Sequence, residues 1–196
     1  MKWRPVPAKI VLFVGIVLSG CATPTYDLHL DPQSNVSPAA VGSSTKLYIS
    51  FADERDETLI GYRGVQPYAE KLAAPDLPTI LEKQLRDGLK QKGFEITDMQ
   101  SSADATVTFR LHAFKFDFEK GIWTNDANIS AVLAVDARRG ARTYSNVYRY
   151  DVQDTMMGEP YKTDLDNRMN TALSEVLHKA LSDENLDLLL VGKSGG

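Results

Sequence analysis

The chain has 196 residues, with 22 Lys and Arg against 26 Asp and Glu, for a formal charge of −4. At 43% hydrophobic and 24% charged residues, with a single cysteine, it has a globular composition that excludes a disordered chain, a polytopic membrane protein and a disulfide scaffold. No net basic field is available to release counterions, which argues against a nucleic-acid binder.

Residues 1–21 read MKWRPVPAKIVLFVGIVLSGC. Lys2, Arg4 and Lys9 make a positive start, and Ile10 to Leu18 form an apolar core. That core suits a secretory leader and is well short of the ~20 residues needed to span hydrocarbon. Leu18, Ser19, Gly20 and Cys21 then resemble the lipobox of bacterial lipoproteins. The resemblance implies that a signal peptidase recognises Leu18, Ser19 and Gly20 and cuts before Cys21. It also implies a diacylglyceryl group on the Cys21 thiol and an acyl chain on the new amine. One acyl chain binds a membrane marginally, and several bind it stably, at ~0.8 kcal/mol per buried CH₂. Residue 22 is alanine and not the aspartate associated with inner-membrane retention, so the implied destination is the outer membrane, facing the periplasm. Loss of the leader takes the formal charge to about −7, and leaves no thiol other than Cys21 for catalysis or metal binding.

Residues 21–44 include Pro24, Pro32, Pro38 and Gly42 and have the composition of a tether, spanning roughly 25 Å as a flexible coil. Tyr26, Leu28 and Leu30 alternate, so part of this segment can lie extended against the domain. A single domain is expected over 45–186, with a C-terminal tail over 187–196 in which Leu188 to Val191 can add a strand or docking segment. Within the domain, Leu47, Ile49 and Phe51 alternate on a strand over 46–52, and a second short strand follows at 59–63. Residues 64–75 read as a loop. Asp76 can cap a helix with Leu77, Leu81, Leu85 and Leu89 on one face, stopped by Gly93 and followed by Phe94. A brief strand at 94–97 precedes long strands near 103–118 and 129–135, and the Arg138-Arg139-Gly140-Ala141 turn leads into one carrying Tyr144, Tyr148, Tyr150 and Val152. The last helix begins near Thr163, with Leu165, Met169, Ala172, Leu173, Val176, Leu177, Ala180 and Leu181 as its apolar stripe. The order predicts an α+β, two-layer fold: a mainly antiparallel sheet, arranged as a meander, with two amphipathic helices packed on one face.

Catalytic signatures are absent from the sequence: no G-x-S-x-G, no H-E-x-x-H, no phosphate-binding or dinucleotide loop. No catalytic residue, metal ligand or cofactor is therefore assigned. His29, His112 and His178 are scattered and read as structural or solvated. The acidic run from Asp53 to Glu57 fails as a calcium loop, because the sixth position is Thr58 and the twelfth Gly64. After Ala113 the apolar parity switches to Phe114, Phe116 and Phe118, with Ile122 and Trp123 in the following turn. Either a β-bulge rotates these phenylalanines back into the core, or they and Trp123 form an exposed apolar patch that meets a partner. Arg138, Arg139 and Arg142 make a basic hairpin tip, a second candidate contact with envelope groups.

The chain resembles the YajG-type lipoproteins of Gram-negative bacteria through Cys21-Ala22-Thr23-Pro24, Leu47-Tyr48-Ile49-Ser50-Phe51-Ala52-Asp53-Glu54-Arg55, and the helix from Asp76-Leu77 to Lys92-Gly93-Phe94. The resemblance implies an outer-membrane-attached α+β domain with no catalytic residues to carry over; Asp53 and Arg55 match its Asp-x-Arg pattern and read as a local pair. The favoured function is a non-enzymatic binding or structural module, anchored in outer-membrane lipid through acylated Cys21 and meeting an envelope protein or glycan, with no nucleic acid. The alternative is a carboxylate-dependent hydrolase of cell-wall material, which would need two carboxyl groups ~5–9.5 Å apart in one cleft.

Overall fold

The structure, a computed structural model, describes residues 23–192 apart from residues 39 and 43. Eight described strands form one sheet: β1 (Thr25–Asp27), β2 (Lys46–Asp53), β3 (Gly61–Arg63), β4 (Glu70–Ala73), β5 (Glu95–Thr97), β6 (Ala105–Lys120), β7 (Asn125–Arg139) and β8 (Arg142–Met156). Three helices accompany it: α1 (Leu77–Gln91), α2 (Lys162–Leu181) and α3 (Glu184–Val191). The fold is α+β, as its alternating patterns predict.

The long strands β6, β7 and β8 form the antiparallel meander that their short connections demand. Beyond them the pairing departs from a meander. Strand β2 lies parallel to β6 over Leu47–Asp53 and parallel to β5, while β3 continues along β6 at Phe116. A helix separates β2 from β5 and β6, and a chain that crosses over a sheet through a helix returns in the same direction. Two further strands, β1 and β4, fall in segments expected to be tether and loop, and they pair with each other in parallel.

The parity switch in β6 is a bulge. Leu111 pairs with Leu133 and Ala113 with Val132, leaving His112 as the extra residue. The inserted residue turns Phe114 and Phe116 back to the helix-covered face, where both are 0% exposed beside Phe109 and Leu111. Phe118 packs on the same core while partly buried, stacked on Phe116 at 6.4 Å between ring centres. The exposed-patch reading of Phe114, Phe116 and Phe118 is therefore corrected to core.

Helix α1 ends as its sequence requires. Gly93 takes φ +85°, its N–H donates to the Lys90 carbonyl at 2.9 Å, and the Phe94 N–H donates to that of Leu89 at 3.2 Å, which is a Schellman stop with Phe94 buried behind it. At the other end, Asp76 occupies the capping position but its side chain makes no capping bond, and Pro78 instead presets the first turn. All eight stripe residues of α2 are buried. The expected tail begins instead as helix α3, capped by Asp183 on the N–H groups of Asn185 and Leu186 and closed by Gly192 at φ +81°. Lys92 ties the ends together: buried, it donates to the Leu181 carbonyl at 2.5 Å and pairs with Asp187.

The expected tether is also shorter than its composition suggests. From Thr25 onward the chain is part of the domain, with Leu28 buried. Three polar residues at helical i, i+4 spacing on α2 hold its backbone. Asp166 accepts from the His29 N–H at 3.2 Å, Asn170 from that of Asp31 at 2.7 Å, and Ser174 from that of Gln33 at 2.9 Å.

Candidate functional site

A cavity of about 370 Å³ between the end of β2 and the start of α1 carries two carboxylates in its lining. Asp27, Asp53, Arg55, Thr58 and Pro78 line it. Arg55 is the anchor. Its Nε and Nη2 donate to the two Asp53 carboxylate oxygens at 2.8 and 2.7 Å, a bidentate pair whose arginine side chain is only 4% exposed. The Asp-x-Arg pattern thus folds as the local pair its spacing suggests. The remaining guanidinium nitrogen, Nη1, is buried with no hydrogen-bond partner among the described residues. The Arg55 hydrogen bonds hold the Asp53 carboxyl below its ordinary value, against burial, which acts in the opposite sense.

A second polar cluster lies on the sheet face away from the helices, around the bulge. Arg110 pairs with Asp136 and approaches Glu54 at 3.6 Å, while His112 Nε2 lies 3.4 Å from Glu54. Ser145 donates to Asp136. The serine therefore bonds to a carboxylate and not to the histidine, and the Ser–His contact that an activated nucleophile requires is not made here. The cluster floors a shallow groove with Ala134 and Val147.

Of the other residues singled out by sequence, Trp123 stands 88% exposed in the β6–β7 turn, next to Ile122 at 93%. Arg138 is exposed and its Nε donates to the Gly140 carbonyl at 3.0 Å. Arg139 is half-buried and donates to the Leu190 carbonyl at the end of α3, where a cation complements the helix dipole. Arg142 is exposed at the start of β8. The basic tip is therefore partly structural, and the structure does not bring it together with Trp123, which sits at the opposite end of β7. Cys21 and the recognition residues Leu18, Ser19 and Gly20 lie outside the described residues. Among the described residues, no cluster of three His, Cys, Asp or Glu is placed to hold a metal, and no helix is long and apolar enough to cross a membrane.

The model of a family described as uncharacterized lipoprotein matches residues 32–190. The chain belongs to this lipoprotein family. The YajG-type resemblance is consistent with that membership. A search of curated proteins finds no match to the lipoprotein. Protein XCC0632 from Xanthomonas campestris has a similar structure, with a TM-score of 0.52 at 15% identity over 87% of this chain and 97% of that one. Rare lipoprotein B from Shewanella oneidensis superposes at 0.42 and 10% identity, over 70% and 96% of the two chains. Lipoprotein GNA1162 from Neisseria meningitidis does so at 0.38 and 6%, over 71% and 99%. The first of these likenesses shows a shared fold.

Two features of the lipoprotein were missed in the sequence although their signals were there. Asp183 and Gly192 bracket Leu186, Leu189 and Leu190 as cap, stop and apolar face. Asp166, Asn170 and Ser174 form a polar stripe beside the apolar one on α2. The pairing of Arg55 with Asp53 was legible in their spacing, but its burial was not, because the Ala73–Pro75 segment and Pro78 that line the same cavity come from elsewhere in the chain.

Proposed function

We propose that this envelope lipoprotein is held by acylated Cys21 on the periplasmic face of the outer membrane and acts there as a non-enzymatic binding or structural module for an envelope protein or glycan. The observation that carries the reading is strand β8. It runs from Arg142 to Met156, pairs only with β7, and has no described strand on its other side. A long sheet edge is a template for an added strand. Side chains guard its middle. Asn146 Oδ1 accepts from the Val147 N–H at 2.8 Å, and Lys179 Nζ donates to the Arg149 carbonyl at 2.8 Å.

The alternative, a cell-wall hydrolase, would most naturally use the cleft with Asp27 and Asp53. A general acid there needs a carboxyl whose pKa is raised, and Asp53 is shifted the other way by Arg55. The test is a photo-crosslinking side chain at Val147, which is 44% exposed, in intact cells. The reading expects a defined crosslinked protein or glycan from Val147 and none from the same group at Met99, far from β8. No product from Val147, where another lipoprotein captures its own partner, would count against it. Release of fragments from purified peptidoglycan, abolished by Asp53→Asn, would replace it with the hydrolase.

A further inference from the structure

Six of the eight large hydrophobic side chains exposed among the described residues crowd one end of the molecule. They are Ile122 and Trp123 in the β6–β7 turn, Val65 and Tyr68 in the β3–β4 loop, and Met157 and Tyr161 between β8 and α2. Five of these six are at least 80% exposed. The sheet register brings the three segments together. Strand β3 runs parallel to β6, so both loops leave at the same end, and Met156 pairs with Asn125 beside the turn. Hydrogen bonds then fasten the segments to one another. Asn125 Nδ2 donates to the Gly158 carbonyl at 2.9 Å, and Arg63 Nη1 to that of Pro160 at 3.3 Å.

The chain enters the domain at this same end. Thr25 pairs with Lys71 at the start of β4, which the β3–β4 loop feeds directly, and the Lys71 N–H donates to the Pro24 carbonyl at 2.8 Å. Cys21 precedes Thr25 by four residues, a reach of at most about 14 Å. An acyl group on Cys21 would therefore hold this end within reach of the bilayer.

We infer that this end is a membrane seat, whose Trp123, Tyr68, Tyr161, Ile122 and Met157 side chains enter the headgroup region of the phospholipid leaflet in which Cys21 is anchored; the inference rests on the acylation of Cys21. Tryptophan and tyrosine favour that boundary because their rings are apolar with one polar atom for the wet side. Two cations at this end are engaged, Arg63 with Glu70 at 2.6 Å and Lys162 with the same carboxylate at 3.2 Å, while Lys71 and Lys120 stand exposed beside the aromatic side chains.

The sequence supplies its own probe. Its two tryptophans are Trp3 and Trp123, and cleavage before Cys21 removes the first. Native lipidated protein is reconstituted into vesicles of phosphatidylethanolamine and phosphatidylglycerol, with and without bromine on the upper acyl carbons, and followed by flotation and Trp123 emission. The expected result is flotation with a blue-shifted emission that brominated lipid quenches. The double variant Ile122→Asp/Met157→Asp, altered only at exposed side chains, floats equally and melts unchanged while its quenching falls. Flotation with unquenched, unshifted Trp123 overturns the seat and leaves the anchor standing, as does a Trp123 signal that shifts with protein concentration alone, the mark of a second copy. Failure to float overturns the anchor and the seat with it.

Discussion

Asp53 and Arg55 show how two residues set the chemistry of a cleft. Bidentate bonding fixes the guanidinium and keeps the carboxylate ionised, so the pair is suited to accept a polar contact and unsuited to donate a proton. The pair also makes stability depend on pH. Asp53 titrates below its ordinary 3.8 in the folded chain, so its contribution is complete above 3.8 and is lost as pH falls through the lowered folded value. Thermal melts between pH ~5 and ~3 should fall more steeply for the wild type than for Asp53→Asn. Equal slopes would mean that the pair contributes nothing to acid sensitivity. Asp187 has the opposite sign, because burial raises it in spite of Lys92.

At the scale of elements, β6 is the instructive case. Its alternation is plain in the sequence on both sides of His112, but periodicity alone does not distinguish a bulge from an apolar patch, since both read as one slipped residue. Tertiary pairing with β7 decides it. Phe116→Ala should cost about 3–5 kcal/mol in a denaturant titration, the range for a fully buried phenylalanine; a loss below ~1 kcal/mol would put the ring back on the surface. The α2 stripe and the Gly93 stop were legible because each is a local pattern tied to helical geometry. Strand β4 was not, being four residues long and held between β3 and β1, whereas the alternation of Tyr26, Leu28 and Leu30 marks the extended segment that includes β1. The parallel course of β2 was hidden for the same reason: strand direction is set by the crossover through α1, which alternation does not record. The cleft shared the fate of these elements, since Asp27 and Asp53 come together only through them.

The whole molecule is a domain with two ends. One carries the chain entry and the exposed aromatic side chains; the long edge of β8 leads away from it toward the Arg138–Arg142 turn. With residues from Thr25 onward part of the domain, the attachment proposed at Cys21 would fix orientation as well as location. On the proposed reading, a protein so placed would offer its sheet edge to the periplasm at a set height, which suits contact with a neighbouring envelope component. The proposed lipidation of Cys21 rests on four residues, because leader cleavage and acylation read local sequence and need no fold. The most direct measurement is therefore mass spectrometry of the N-terminal peptide of the protein purified from its own membranes. The account predicts a chain that begins at Cys21 and carries a diacylglyceryl group and an amide-linked acyl chain; a chain that retains Trp3, or one that begins at an unmodified Cys21, would contradict it.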